Sequence, residues 1–237
     1  MNASVETNHR FLQLMQLADS ALPIGVTAHS FGVEALVADD LLTVNNLETF
    51  LGDYLSEAGV VDGAFCRAAY ELGTDLREDF NHTAWIALND HLSALRPARE
   101  SRTASTTLGR RFATLVLTLS HHPLLRAIVS GTAPFTHTVE IHYATSFGIC
   151  GRTLGFEVNS TVLAYLQMSV NGIVSACQRL LPLGQSEAAR LLWEIKPLIL
   201  EALRRSHVSV DDVSCSLQLP ELASLRHPTL ATRLFIS

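Results

Sequence analysis

Charge is scarce in this chain, at 17% of residues, and it carries no concentrated basic block. With 17 Lys and Arg against 23 Asp and Glu, the net charge is -6. That excludes the dense cationic surface that nucleic acid demands. The four cysteines, Cys66, Cys150, Cys177 and Cys215, lie far apart, and no two form a Cys-x-x-Cys pair. A disulfide frame and a cysteine zinc site are thereby set aside in favour of buried thiols in a reducing compartment. Ahead of His9 stands Glu6 and no Lys or Arg, so the basic start of a signal peptide is missing and a cytoplasmic location is expected. Also absent are a phosphate-binding Gly-x-x-x-x-Gly-Lys loop, His-Glu-x-x-His and Gly-x-Ser-x-Gly. Alternating strand patterns between hairpin turns occur nowhere.

What the chain has is apolar weight at helical spacing. Hydrophobic residues make up 48%, enough for a sizeable core and too many for general disorder. Between Glu157 and Arg179 no residue is charged. Leu163, Leu166, Val170, Ile173, Val174, Cys177, Leu180 and Leu181 recur there on one face of a 3.6-residue period. Tyr165, Ser169, Gly172 and Ala176 make a second, mostly small face against which another backbone can close. Such a run spans about 30 Å as a helix, the length of a membrane crossing. Asn159, Ser160, Thr161, Gln167, Ser169, Asn171, Ser175 and Gln178 interrupt it with polar groups, so it reads as the buried central helix of a soluble protein.

The rest of the chain predicts an all-α, single-domain bundle of about nine or ten helices around that rod. Phe11–Ala18 and Ser30–Ala38 have helical spacing, separated by Pro23 and Gly25. Thr43 is placed to cap a helix carrying Leu47, Phe50, Leu51, Tyr54 and Leu55 and broken near Gly59. Ala64–Leu72 follows, with Gly73 expected in the left-handed conformation. Thr74 is expected to cap a helix whose face is Leu76, Phe80, Ala84, Leu88, Leu92 and Leu95. Pro97 suits the first turn of a helix to about Leu119, with Ser101, Ala104, Leu108, Phe112, Leu115 and Leu119 on one side. Loops at His121–Pro123 and Gly131–Pro134 flank a short helix. Glu140–Arg152 is helical and ends at Gly155. Ser186 opens the last clear helix, kinked at Pro197. Residues 1–8 read as a flexible tail, 9–205 as the helical domain and 206–237 as a C-terminal docking tail.

Three features stand out as candidate sites. The first is histidine: ten are present, yet none shares a helix at the i, i+3 or i, i+4 spacing that chelates a metal. His142, His207, His227 and Cys215 are the candidates for metal contact. His29-Ser30 sets a base beside a nucleophile, but neighbours on a helix point apart. The second is an arginine stripe, Arg99, Arg102 and Arg110, with no acid on its line; such planar forks suit carboxylates elsewhere in the chain or on a partner. The third is the end of the chain, where Leu225, Leu230, Leu234, Phe235 and Ile236 alternate with Arg226 and Arg233. Apolar weight at a terminus implies docking, on the chain's own body or on another.

Four stretches resemble one family, the urease accessory protein UreF. They are Leu17-Ala18-Asp19-Ser20-Ala21-Leu22-Pro23-Ile24-Gly25 continued by Ala28-His29-Ser30-Phe31-Gly32-Val33-Glu34; Glu100-Ser101-Arg102-Thr103-Ala104-Ser105 with Gly109-Arg110-Arg111; Ser175-Ala176-Cys177-Gln178-Arg179-Leu180 before Pro182-Leu183-Gly184-Gln185; and Thr232-Arg233-Leu234-Phe235-Ile236-Ser237. They fall in the family's order from about residue 11 to the last. Val26-Thr27, His227-Pro228 and Ile236 depart from its usual residues.

The resemblance implies a helical, non-enzymatic scaffold that forms a homodimer in the complex, binds UreD (also called UreH), recruits the GTPase UreG and serves nickel delivery to apo-urease. It implies partner or dimer contacts for Glu34, Arg102, Arg110, Arg179 and Arg233, with Leu234 and Phe235 as apolar anchors. No tightly bound cofactor is expected, only transient nickel, and neither nucleic acid nor membrane is a partner. Two alternatives stay open. One is a regulator of UreG turnover that supplies an arginine in trans; the other is a helical metal-binding protein or enzyme whose ligands converge in the bundle.

Overall fold

The computed structural model describes residues 3–74, 80–130, 139–213 and 219–236, and every regular element among them is helical. In order these are α1 (Ala3–Leu17), α2 (Val33–Ala38), α3 (Leu47–Tyr54), α4 (Val60–Leu72), α5 (His82–Ala94) and α6 (Arg99–Ser120). Then come α7 (Pro123–Ser130), α8 (Tyr143–Thr153), α9 (Val158–Leu180), α10 (Gln185–Glu194), α11 (Lys196–Arg205) and α12 (Leu219–Arg226). The all-α reading holds. Among the described residues no helix is long and apolar enough to cross a membrane.

Helix α9 begins where the Glu157 carboxylate accepts the N–H groups of Asn159 at 2.9 Å and Ser160 at 2.7 Å, satisfying donors that the first turn leaves free. From Val158 to Gln178 none of its residues is exposed, because α2, α4, α8, α10 and α11 pack around it. Beside it, α4 and α8 cross almost backbone to backbone: a Cβ added to Gly148 would lie 1.9 Å from the Cys66 carbonyl oxygen. Phe112 of α6 stacks on Phe147 of α8 at 5.0 Å, and Phe147 meets Tyr165 of α9 edge-on at 5.7 Å. These rings join three helices in one aromatic core.

Several expected boundaries move, each for a local reason. Residues 4–8 are exposed but helical, as part of α1. Phe31 and Gly32 take left-handed backbone, φ 51 and 87, so α2 starts at Val33 and not at Ser30. Gly59 breaks nothing: Leu55–Gly59 is a π-turn that joins α3 to α4, and Gly59 itself is right-handed helical (φ -62, ψ -42). Its missing Cβ serves packing, since one would stand 3.2 Å from Leu55 Cδ2. Gly73 is extended, φ -67 and ψ 135, and not left-handed; the Arg152 side chain lies where its Cβ would be. Asn81 caps α5, accepting the Ala84 N–H at 3.0 Å, in place of Thr74; Leu76 and Gly131–Pro134 lie outside the described residues. Pro97 precedes α6 instead of opening it, and Ala98 is the N-cap. Glu140 and Ile141 lead into α8 instead of forming its first turn. Pro197 opens the new helix α11 after Ile195 and kinks no longer one.

Other expectations hold. The Thr43 N–H is bound by Asn46 Oδ1 at 2.8 Å at the entry to α3. Gly155, φ 70, closes α8 by bonding Arg152 while Phe156 bonds Gly151, both at 3.0 Å, the pairing of a Schellman end.

Candidate functional site

Residues 219–236 form an arm that lies on α2 and on the start of α6. The turn at Phe31 and Gly32 prepares its seat. A Cβ on Gly32 would fall 2.3 Å from the Pro220 carbonyl oxygen, so glycine is required there both by φ and by the arm's approach. The same turn places Glu34 in the first turn of α2, buried.

Glu34 gathers the far end of the arm. It accepts the Leu234 N–H at 2.6 Å, the Phe235 N–H at 3.2 Å and His227 Nε2 at 2.8 Å. Burial pushes its carboxyl up, but the bonds from Leu234, His227 and Phe235 more than offset this and leave it below its ordinary value of 4.5. His227 is wholly buried and its second nitrogen, Nδ1, lies 2.7 Å from Glu100 Oε2. Arg233 stands 3.6 Å from the other Glu100 oxygen.

At the near end, Glu221 accepts the Ser101 hydroxyl at 2.5 Å and the Ala98 N–H at 3.2 Å. Ala98 has no side-chain oxygen, so a residue more than a hundred positions away caps α6. Arg226 pairs with Asp39 at 2.6 Å. Phe235 is 5% exposed beneath the Arg179 guanidinium, 4.2 Å from its ring centre, a cation–π contact. Arg179 also donates to the Thr27 carbonyl at 2.7 Å, and the Ile236 N–H to the Ala28 carbonyl at 2.8 Å.

The arm has two faces. Phe235 points in, whereas Leu234 at 66% and Ile236 at 68% exposure point out. Leu219, Leu222 and Leu225 of α12 are also exposed. The arm thus carries an apolar outer row on an ordered segment.

Under α12 lies a cavity of about 90 Å³, walled by Pro220 and Glu221 of the arm and by Tyr54, Asp62, Arg96 and Tyr165 of the bundle. Asp62 accepts Arg96 at 2.5 Å and the Tyr165 hydroxyl at 2.9 Å. Burial, then the Asp62 charge, pushes both the Tyr54 and Tyr165 phenols far up, so neither is an acid at neutral pH. Arg96 Nε is buried with no partner among the described residues, which makes this a polar space suited to water.

The structure thus brings together Glu34, Arg179, Arg233, Leu234 and Phe235, five residues expected at partner contacts, but it uses Glu34, Arg179 and Phe235 to hold the chain's own arm. It does not bring in Arg102 or Arg110. Arg102 donates to the Arg96 carbonyl at 2.8 Å and the exposed Arg110 to the Val129 carbonyl at 3.3 Å; within the chain both meet backbone oxygens. Glu100 and Glu221 were missed as site residues. Glu100 stands in a quoted motif, whereas Glu221 lies where helical periodicity fades and gave no signal.

The metal candidates scatter. His142 is sealed, with Ser105 Oγ 3.0 Å from Nδ1 and Ser93 Oγ 2.8 Å from Nε2. Burial, then the Arg96 and Arg102 charges, lowers it to about 3, so it is neutral. His207 is exposed, His227 faces two carboxylates, and Cys215 lies outside the described residues. No group of three or more His, Cys, Asp or Glu among those residues could hold a metal ion. His29 is buried, held below its ordinary value by burial and then by Arg111.

Comparison with known proteins supplies the family. Residues 41–196 match the family model described as UreF. A urease accessory protein UreF of Nostoc sp. is 32% identical over 242 residues, covering 100% of both chains. One of Lachnoclostridium phytofermentans is 33% identical across 95% of this chain and 98% of its own. A third, of Bacillus sp., is 30% identical across 97% and 100%. The family model ends before the arm, whereas the full-length relatives extend over it.

Proposed function

We propose, from the premise that this chain belongs to the UreF family of urease accessory proteins, that it is a non-catalytic adaptor. In this reading it holds UreD (UreH) through its C-terminal arm and recruits the GTPase UreG to that complex. The assembly serves nickel insertion into apo-urease in the cytoplasm. A part in urease maturation belongs to the family; these particular partners are the proposal.

One observation carries it. The arm is fixed from beneath by Glu34, His227 and Phe235 while Leu234 and Ile236 stay exposed. Apolar side chains held in place before binding lose little entropy when a partner covers them, and such anchors dominate interface energy. Nickel would be a passing cargo in this scheme, with no tight site on this chain. The chain would pair with a second copy in the complex, for which the exposed Val5, Phe11, Leu12 and Met15 of α1 offer an apolar stripe.

Deletion of Pro228–Ser237 tests the adaptor. Co-purification with UreD should be lost while the helical circular dichroism signal is kept, and UreG should no longer join. Retained capture of UreD by the shortened chain would overturn arm-mediated binding.

A further inference from the structure

The cavity under α12, about 90 Å³, has room for about three waters at roughly 30 Å³ each, or for one organic molecule of that bulk. Gly172 of α9 stands on its wall, and the packing does not require a glycine there. It lies well inside the helix, and a Cβ on it would meet only Val26 Cγ1, at 3.8 Å, an ordinary contact. By contrast Gly63, Gly109, Gly148 and Gly151 each have a neighbour within 2.9 Å of the place a Cβ would take. A glycine inside a helix weakens it relative to alanine. What Gly172 leaves in return is the space itself.

The polar walls of that space are paired, save for one donor. Arg96 is matched by Asp62 at 2.5 Å, and the Tyr165 hydroxyl donates to the other Asp62 oxygen at 2.9 Å. Glu221 accepts the Ser101 hydroxyl and the Ala98 N–H. The Arg96 Nε–H is left buried with no partner among the described residues, and a donor in that position needs an acceptor. An anion would add a third acidic group beside Asp62 and Glu221, whereas a cation would offer nothing to the Arg96 donor. Val26, Phe31, Leu92, Met168 and Ile173 make the rest of the wall largely apolar. Arg96 keeps 16% of its side chain exposed, so the space is not sealed from solvent.

We propose that this cavity is a binding site for a small neutral carbonyl compound of the primary amide kind. Its oxygen takes the Arg96 Nε–H, its short hydrocarbon end lies against Met168 and Ile173, and Pro220 and Glu221 of the arm close one side. The site is independent of the adaptor reading, and its test uses the full chain alone, so either can fail without the other.

Three probes of one shape decide it: acetamide, acetate and acetamidinium. Acetamide should move the Arg96 Nε–H resonance saturably at millimolar concentration, the reach of so small a ligand. Its methyl group should also give nuclear Overhauser contacts to the methyls of Met168 and Ile173. Acetate and acetamidinium should bind about tenfold more weakly or worse. Equal responses to all three, a shift that never saturates, or contacts from water alone in that space would overturn the proposal. Gly172→Val fills the cavity from a position with room for the added carbon, and should abolish the acetamide response with the helical signal intact. Arg96→Lys keeps a cation beside Asp62 but removes the Nε donor, and should weaken acetamide by about tenfold. Undiminished binding by either variant would equally overturn the site.

Discussion

Replacing a single hydrogen at Gly32 should unseat the arm. Gly32→Ala puts a methyl 2.3 Å from the Pro220 carbonyl and asks alanine for φ 87, a strain of about 1–3 kcal/mol. The strain falls on the arm's seat and not on the α4–α8 crossing, so carboxypeptidase trimming should accelerate far more than the melting temperature falls. His142 makes a second prediction at this scale. Its ring is neutral in the fold, lowered to about 3 from 6.5, whereas in the unfolded chain it takes up a proton below its ordinary value. Stability is thus fully present above pH 6.5 and is lost as pH falls from there toward about 3. Between pH 7 and 5 the loss is about 2 kcal/mol from this residue, read from urea midpoints at the two pH values. His142→Gln should start less stable and show a flatter pH slope. The sequence held half of what matters here. His227 and Glu100 were visible as a metal candidate and as part of a motif, but that they meet is a tertiary fact, and spacing along the chain carries no information about it.

Helices were the legible part, because a 3.6-residue period survives in the sequence wherever one face is buried. In α9 the expected Leu166, Val170, Ile173, Val174 and Cys177 are all buried. The second face proved as covered as the first, which is why the stretch carries no charge. Boundaries were legible only where local chemistry sets them, as at Gly155 and Thr43. Gly73 and Gly148 are glycines for the sake of a neighbouring element and Gly59 for room beside Leu55 of its own turn, and local rules for breakers and caps misread Gly59 and Gly73. The α4–α8 crossing gives this a measurable form. Gly148→Ala would drive a methyl into the Cys66 carbonyl, 1.9 Å away, and neither helix can shift without disturbing α9. A cost of about 3 kcal/mol or more is expected, seen as a lower denaturation midpoint with the arm still seated in the molecules that remain folded. Helix α12 lay beyond such reading, since its exposed leucines and its buried Glu221 reverse the pattern by which periodicity is recognised.

At the scale of the whole molecule, exposed apolar side chains among the described residues include Trp193, Leu200 and Leu119 as well as those of the arm's outer row and α1, and these last two are the ones at issue here. Val5, Leu12 and Met15 recur at helical intervals with Phe11 beside them, all exposed, while Leu17 at the end of the same helix is buried. The helix therefore spends one side on its own bundle and shows the other to solvent. A stripe on one helix is self-complementary about a two-fold axis, where each residue can meet its own counterpart or a near neighbour. The arm's row, by contrast, is short and irregular, which suits a different protein. Separate surfaces let pairing and partner capture be broken one at a time. Phe11→Asp with Met15→Asp should convert a dimer of this chain to monomer in light scattering coupled to size exclusion, with the helical signal unchanged. The same double variant should still capture UreD through its arm. A dimer that survives both charges would place the pairing surface elsewhere, and a monomer that also loses UreD would mean that the two surfaces act together.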